Sequence, residues 1–243
     1  MSGHSKWSTI KHKKAAQDAK RGKVFTKVIK ELMVAAKSGG SDSDSNPRLR
    51  QAISTAKASN MPNDTMRRAI QKGAGELEGV NYEEISYEGY GPGGVAIIMD
   101  IMTDNKNRTV AEIRHLMSKY GGNLGENGSV SWMFEKLGQI ILSGNSDEEK
   151  AFDHALEFGA DDFNVIGDTF LITTAPSETV NVAEGMSEKG YEVISSTVEM
   201  VPKNMMKISG DQLKKLVLLL NLLEEHDDIQ NIFSNVEFED NEL

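Results

Sequence analysis

The 243-residue chain contains no cysteine, and this absence removes several classes of chemistry at once. A chain without thiols has no disulfides, no thiolate nucleophiles and no cysteine-ligated zinc or iron–sulfur sites. Long apolar runs are missing too, since the longest, at residues 217–223, is interrupted by Asn221 and is far shorter than the roughly 20 residues that span a bilayer. The basic amino-terminal stretch has no apolar core of the kind found in signal peptides. We therefore expect a cytoplasmic protein with no membrane partner.

Charge is distributed very unevenly along the chain, although its net value is −10. Residues 1–72 contain 16 Lys and Arg against five Asp and Glu, a net charge of +11. The other 171 residues contain 11 Lys and Arg against 32 acidic residues, a net charge of −21. Such a contrast indicates a basic module joined to an acidic body and favours a polyanionic partner such as nucleic acid.

The first 72 residues have the periodicity of helices. Helices are predicted at about 8–20, 23–37, 46–59 and 63–72, with Asn46 as a cap and Pro47 at the first helical position of the third. The second helix has one apolar stripe and one separate lysine stripe, whereas the first has almost nothing apolar to bury. A basic helical domain over residues 1–80 follows from this pattern.

Past a linker rich in glycine and glutamate, the period changes to alternating strands and helices. Strands are predicted at 95–103, 130–134, 139–142, 162–166, 169–174, 191–201, 205–208 and 232–238, and helices at 107–120, 147–158, 177–189 and 211–225. This order predicts a multidomain α+β fold, with the helical bundle followed by two split-βαβ (ferredoxin-like) α/β domains. The second is inserted into the first, which gives a discontinuous domain at 81–135 plus 203–243 and an inserted domain at 136–202.

Signals for catalysis, metals or cofactors are weak throughout. The glycine-rich segment 89–94 precedes a strand, whereas a phosphate-binding loop leads into a helix amino terminus. The five histidines show no metal-ligand spacing, and there is no nucleophile elbow. We therefore predict no catalytic residues, no metal site, no cofactor and no enzymatic activity.

Clustered cations are the strongest functional signal, because Lys and Arg neutralise backbone phosphates without needing a strict motif. The predicted nucleic-acid contacts are Lys6, Lys11, Lys13, Lys14, Lys20, Arg21, Lys23, Lys27, Lys30, Arg67 and Arg68. Lys106 and Arg108 lie at a strand-to-helix junction and form a separate candidate anion contact.

Seven segments of the chain resemble the YebC/PmpR family: residues 3–7, 13–23, 25–27, 46–50, 87–94, 104–109 and 121–125. The resemblance implies three domains, the first helical and basic and the other two α/β. Bacterial members of that family are described as DNA-binding transcriptional regulators and have also been linked to the ribosome, while mitochondrial relatives are translational activators. The resemblance implies no catalytic residues.

Several interpretations stay open at the level of sequence. The leading one is a non-enzymatic regulator of gene expression that binds DNA through its basic helical domain, and its alternative is a translation factor that binds the ribosome or ribosomal RNA. A small-anion-binding enzyme would use the 89–94 turn with Lys106 and Arg108. A purely structural protein would pair its basic arm with acidic partners, including its own body. The acidic body is expected to face away from a polyanion or to bind a basic protein.

Overall fold

The computed structural model describes residues 21–238, with side chains from residue 23 onward. Within this range the helices are α1 (Arg21–Gly39), α2 (Pro47–Ala58), α3 (Asn63–Gly73), α4 (Lys106–Lys119), α5 (Glu148–Glu157), α6 (Thr179–Glu188) and α7 (Gly210–Glu224). The strands are β1 (Glu83–Tyr90), β2 (Ala96–Thr103), β3 (Asn123–Leu124), β4 (Phe134–Ser143), β5 (Asp162–Ile166), β6 (Thr169–Thr174), β7 (Val193–Pro202), β8 (Met206–Lys207), β9 (Ile229–Ser234) and β10 (Val236–Glu237). Short 3-10 helices cover Pro92–Gly94 and Ser131–Met133.

The helical segment is organised around α1, against which both α2 and α3 pack. Leu32 and Leu49 are fully buried in its core. The buried side chain of Asn46 accepts a hydrogen bond from the backbone N–H of Leu49 and so caps α2. Its Nδ2 donates to the backbone oxygens of Ala35 (2.8 Å) and Gly40 (2.9 Å). This one side chain therefore joins the end of α1 to the start of α2. The predicted helix at 8–20 lies outside the described residues.

The first sheet is antiparallel, with strand order β3-β1-β2-β9. Ile97, Met99 and Ile101 alternate along β2 and are buried in one core with α4 and α7. The leucines that α7 contributes to this core are Leu213, Leu216, Leu219, Leu220 and Leu223. The leucine-rich stretch that predicts the last helix is thus the layer that covers this sheet.

The second sheet has the order β5-β6-β4-β7 and is also antiparallel. Helix α5 connects β4 to β5 and helix α6 connects β6 to β7, which is the split-βαβ (ferredoxin-like) arrangement. Its core contains Ile140, Leu142, Phe170 and Ile172 beneath the two helices. Residues 132–205 form one compact unit, and the other described residues form a second. The predicted α+β class with two sheets is confirmed, whereas the division into three domains stays a prediction.

Two local predictions fail for reasons that lie in tertiary contacts. Residues 83–90, with three glutamates and a glycine, are not assigned to a strand by their sequence, yet all eight pair in register with β2 as β1. Residues 130–134 are predicted as a strand, but 131–133 form a 3-10 helix. The reason is that the N–H groups of Val130 and Ser131 donate to the carboxylate of Glu88, both at 2.8 Å, instead of to a neighbouring strand.

Glu88 is buried and its carboxylate also accepts from the N–H of Gly128 at 2.8 Å, so three backbone donors of one loop depend on it. Burial alone would raise the pKa of this carboxyl, and the three backbone hydrogen bonds outweigh burial and lower the pKa.

We expect Glu88→Gln to lower the free energy of unfolding by about 1–3 kcal/mol, because the amide turns a donor toward a cluster of donors. Glu83→Gln is the matched control on the same strand, since Glu83 is exposed and its carboxylate pairs with the exposed Lys106, and it should cost less than about 1 kcal/mol. Urea denaturation of both variants measures the difference. Equal losses would contradict the role assigned to Glu88.

Candidate nucleic-acid interface

The predicted nucleic-acid contacts fall into three groups in the structure. Five of them, Lys6, Lys11, Lys13, Lys14 and Lys20, lie outside the described residues, as does the side chain of Arg21. The lysines of α1 form the second group, and Arg67 and Arg68 of α3 form the third. The second and third groups have very different surroundings.

Lys23 and Lys27 bond to the carboxyl-terminal end of α7. The Lys23 Nζ donates to the backbone oxygen of Glu225 at 2.8 Å and lies 3.7 Å from its carboxylate. The Lys27 Nζ donates to the backbone oxygen of Glu224 at 2.9 Å. Carbonyls at a helix end have no partner within the helix and carry partial negative charge, which favours cations there. These lysines therefore cap α7, a role their spacing on α1 does not reveal.

Lys30 is the clearest departure from the sequence-based prediction. It is only 5% exposed, and its Nζ donates to Asp228 Oδ1 at 2.6 Å. The same ammonium also donates to the backbone oxygens of Asp227 (2.8 Å) and Met102 (3.3 Å). The prediction that Lys30 contacts nucleic acid is wrong, because its charge is enclosed and already neutralised.

The carboxylate of Asp228 accepts hydrogen bonds from four side chains. We call Asp228 and these donors, Lys30, Thr103, Arg108 and Thr109, the Asp228 cluster. Besides Lys30, its carboxylate accepts from Thr109 Oγ1 at 2.7 Å, Arg108 Nη2 at 2.9 Å and Thr103 Oγ1 at 3.2 Å. Burial alone would raise the pKa of this carboxyl. The hydrogen bonds from Lys30, Thr109 and Arg108 outweigh burial and hold the pKa well below its ordinary value. The cluster ties α1 to β2, α4 and the α7–β9 connection.

The candidate anion contact is also occupied by the protein's own carboxylates. Arg108 pairs with Asp104 at 2.8 Å and with Asp228, and Lys106 pairs with Glu83 at 2.6 Å. The glycine-rich turn precedes β2 whereas both cations follow it, so the eight-residue strand separates them. The turn and the two cations therefore do not form the common small-anion site that the enzyme hypothesis requires.

Arg48 is a structural cation that sequence reasoning missed. Its guanidinium bonds to Glu31 of α1 (2.7 Å) and to Glu84 of β1 (2.6 Å). The hydrogen bond to Glu84, and after it the one to Glu31, raises the pKa of Arg48 above its ordinary value, although partial burial acts in the opposite direction. The resemblance includes residues 46–50 but assigns no role to this arginine, because its partners are 17 and 36 positions away.

Apart from Lys37 near the end of α1, the cations of the described helical segment that are classed as exposed lie on α2 and α3. Arg67 is paired with Asp64 and its side chain is still 70% exposed, and Arg68 is exposed as well. Further exposed cations, which the sequence-based prediction omitted, are Arg50, Lys57 and Lys72. Arg50 and Lys57 are seven positions apart on α2, and Arg68 and Lys72 are four apart on α3. Each pair shares a helix face, and that spacing was the available signal.

Residues 21–238 contain neither a metal-ligand group nor a membrane-spanning helix. Across residues 21–238, His, Asp and Glu side chains form no group that could hold a metal ion. None of the helices in the same range combines the length and apolarity needed to cross a membrane.

We expect Asp228→Asn to lower the free energy of unfolding by about 3–5 kcal/mol, because the buried ammonium of Lys30 loses its countercharge. The double variant Lys30→Met/Asp228→Asn should lose less than the sum of the two single variants. Asp64→Asn, at an exposed ion pair, is the control and should cost less than about 1 kcal/mol. Urea denaturation at neutral pH measures all four.

The Lys30–Asp228 pair also predicts how the free energy of unfolding changes with pH. A carboxyl whose folded-state pKa is lowered contributes stability above its ordinary pKa of 3.8 and loses it as the pH falls further. Below that value the stability of the unaltered chain should therefore decrease more steeply than that of Asp228→Asn. Parallel pH profiles would contradict the assignment.

Comparison with known proteins gives consistent matches over nearly the whole chain. Residues 5–76 match the model of the TACO1/YebC protein N-terminal domain, and residues 82–236 match that of the TACO1/YebC second and third domain. A probable transcriptional regulatory protein from Geobacter sulfurreducens is 53% identical over 243 residues, covering 100% of this chain and 98% of the relative. A protein of the same description from Syntrophotalea carbinolica is 52% identical with the same coverage.

A solved structure supports the match at the level of the fold. The crystal structure of a conserved hypothetical protein from Aquifex aeolicus superposes with a TM-score of 0.84 at 43% identity. The match covers 92% of this chain and 93% of that one. With both family models matched and relatives more than half identical over 98% of their length, the chain belongs to the TACO1/YebC family.

Proposed function

We propose that this protein is a non-enzymatic regulator of gene expression that binds duplex DNA through its basic helical segment. The observation that carries the proposal is the net charge of +11 on residues 1–72 beside −21 on the rest of the chain. The names of the relatives, probable transcriptional regulatory proteins, agree with such a role.

The structure narrows the set of cations that can serve this function. Lys30 belongs to the buried Asp228 cluster and is excluded, and Lys23 and Lys27 bond to the end of α7. The proposed interface therefore consists of Arg67, Arg68 and Lys72 on α3, with Arg50 and Lys57 on α2. Six further cations remain part of the proposal because of their positive charge: Lys6, Lys11, Lys13, Lys14, Lys20 and Arg21.

The mode of binding we propose is electrostatic contact with the phosphate backbone. All the exposed side chains concerned are Lys or Arg, which neutralise phosphates and release counterions whatever the base sequence. Helices α2 and α3 are each packed against α1, so neither is presented as an isolated recognition helix. Backbone contact of this kind also suits structured RNA, so the ribosomal alternative is tested in the same experiment.

The test is charge reversal on α3 with a matched control on α7. Arg67→Glu/Arg68→Glu should weaken binding to duplex DNA by at least about tenfold and reduce the slope of log affinity against log salt by about 1.8, that is 0.9 per lost phosphate contact. Lys214→Glu/Lys215→Glu changes another exposed adjacent pair by the same charge and should leave both quantities nearly unchanged. Fluorescence anisotropy at several salt concentrations measures them, and circular dichroism verifies the fold.

The same variants separate the two candidate targets. If both pairs weaken DNA binding equally, or if neither does, the proposed interface on α3 is wrong. If the α3 pair weakens co-sedimentation with ribosomes but leaves DNA affinity unchanged, the translation factor replaces the DNA-binding regulator. Lys13→Glu/Lys14→Glu extends the comparison to the amino-terminal cations.

A further inference from the structure

The compact unit of residues 132–205 exposes several large apolar side chains along α5 and β5. Phe152 and Leu156 lie four positions apart on α5, Val165 lies on β5, and each is between 41% and 47% exposed. The rings of Phe152 and Phe163 meet edge to face, with their centroids 5.8 Å apart. Phe163 lies two residues before Val165 and so on the same side of β5. We call these four residues the α5–β5 stripe.

A sheet edge runs beside the α5–β5 stripe. Strand β5 is the outermost strand of its sheet, and β6 is its only strand partner in the described part of the chain. An edge strand offers backbone N–H and C=O groups to an added strand, and neighbouring apolar side chains can hold alternate residues of that strand. The surface therefore has both elements needed to hold an extended peptide.

The surroundings of the stripe are strongly acidic. Residues 147–168 contain eight Asp and Glu and a single lysine, Lys150, which pairs with Asp147 at 3.1 Å. On α5, Glu149, Asp153 and Glu157 recur every four residues and so flank Phe152 and Leu156 on the same helix face. The unit as a whole has 14 acidic side chains against four basic ones, a net charge of −10.

We propose that the α5–β5 stripe and the edge of β5 dock an extended, basic segment of a partner protein in which apolar and cationic residues alternate. Charge complementarity identifies this occupant. A nucleic acid has the wrong sign, and two copies of the unit would bring together surfaces of net charge −10 each. The residues of this surface differ from the cations proposed to bind nucleic acid, and the proposal does not depend on nucleic-acid binding.

The test uses defined peptides and the full chain. A fluorescein-labelled eight-residue peptide of alternating valine and lysine should bind, and added salt should weaken it. Peptides of alternating serine and lysine, or of alternating valine and glutamate, should bind at least about tenfold more weakly, since each lacks one of the two required features. Fluorescence anisotropy measures the three affinities.

Variants locate the binding surface. Leu156→Ser/Val165→Ser removes two side chains of the stripe and should weaken the valine–lysine peptide about tenfold or more. Val180→Ser/Ile194→Ser is the control, since these exposed residues lie on α6 and on β7 at the opposite edge of the sheet, and affinity should not change. Glu149→Gln/Asp153→Asn should weaken binding and flatten its salt dependence.

Three outcomes would overturn the proposal. The first is no measurable binding of the valine–lysine peptide by the unaltered chain. The second is equal weakening by the stripe and control variants. The third is self-association of the chain in analytical ultracentrifugation that Leu156→Ser/Val165→Ser abolishes, which would make a second copy the occupant. DNA affinity should be the same in all these variants, so this test and that of the proposed function can fail separately.

Discussion

The buried pair between Lys30 and Asp228 is the interaction on which the arrangement of the basic helices depends. Both side chains are enclosed, and an enclosed charge is tolerated only where an opposite charge and further hydrogen bonds compensate for lost hydration. Thr103, Thr109 and Arg108 supply that compensation on the second carboxylate oxygen. The pair is a poor source of net stability but a strict geometric requirement, and it holds α1 at one place on the first sheet.

Because α1 is held in this way, the cations of the described helical segment divide into two kinds. Lys23, Lys27 and Lys30 on α1 bond to carbonyls and carboxylates of residues 224–228. Arg48 of α2 is likewise paired within the protein, with Glu31 of α1 and Glu84 of β1. The other cations of α2 and α3, namely Arg50, Lys57, Arg67, Arg68 and Lys72, are exposed. Intramolecular pairing between the basic segment and the acidic body, the purely structural alternative at the level of sequence, thus exists for Lys23, Lys27 and Lys30, whereas Arg67 and Arg68 are exposed.

Within residues 132–205, the excess of acidic side chains is concentrated in one region. The unit of residues 132–205 has a net charge of −10, and its acidic side chains are concentrated around α5 and β5, where apolar side chains are also exposed. Solvation alone explains acidic side chains but not exposed phenylalanine and leucine beside them. The combination of charge, apolar surface and an open strand edge is what favours a protein partner there.

The sequence by itself determined the α+β class, the three described helices of the basic segment and most strands of the second sheet, because these follow from local periodicity and capping. The family resemblance was equally accessible, since its motifs are contiguous. Only the tertiary structure decided which cations are exposed, because Lys30 and Asp228 are 198 positions apart and pair through packing. The same reason explains β1 and the 130–134 segment: register with β2 makes a strand of an acidic stretch, and one buried glutamate takes the N–H groups that a strand at 130–134 would have used.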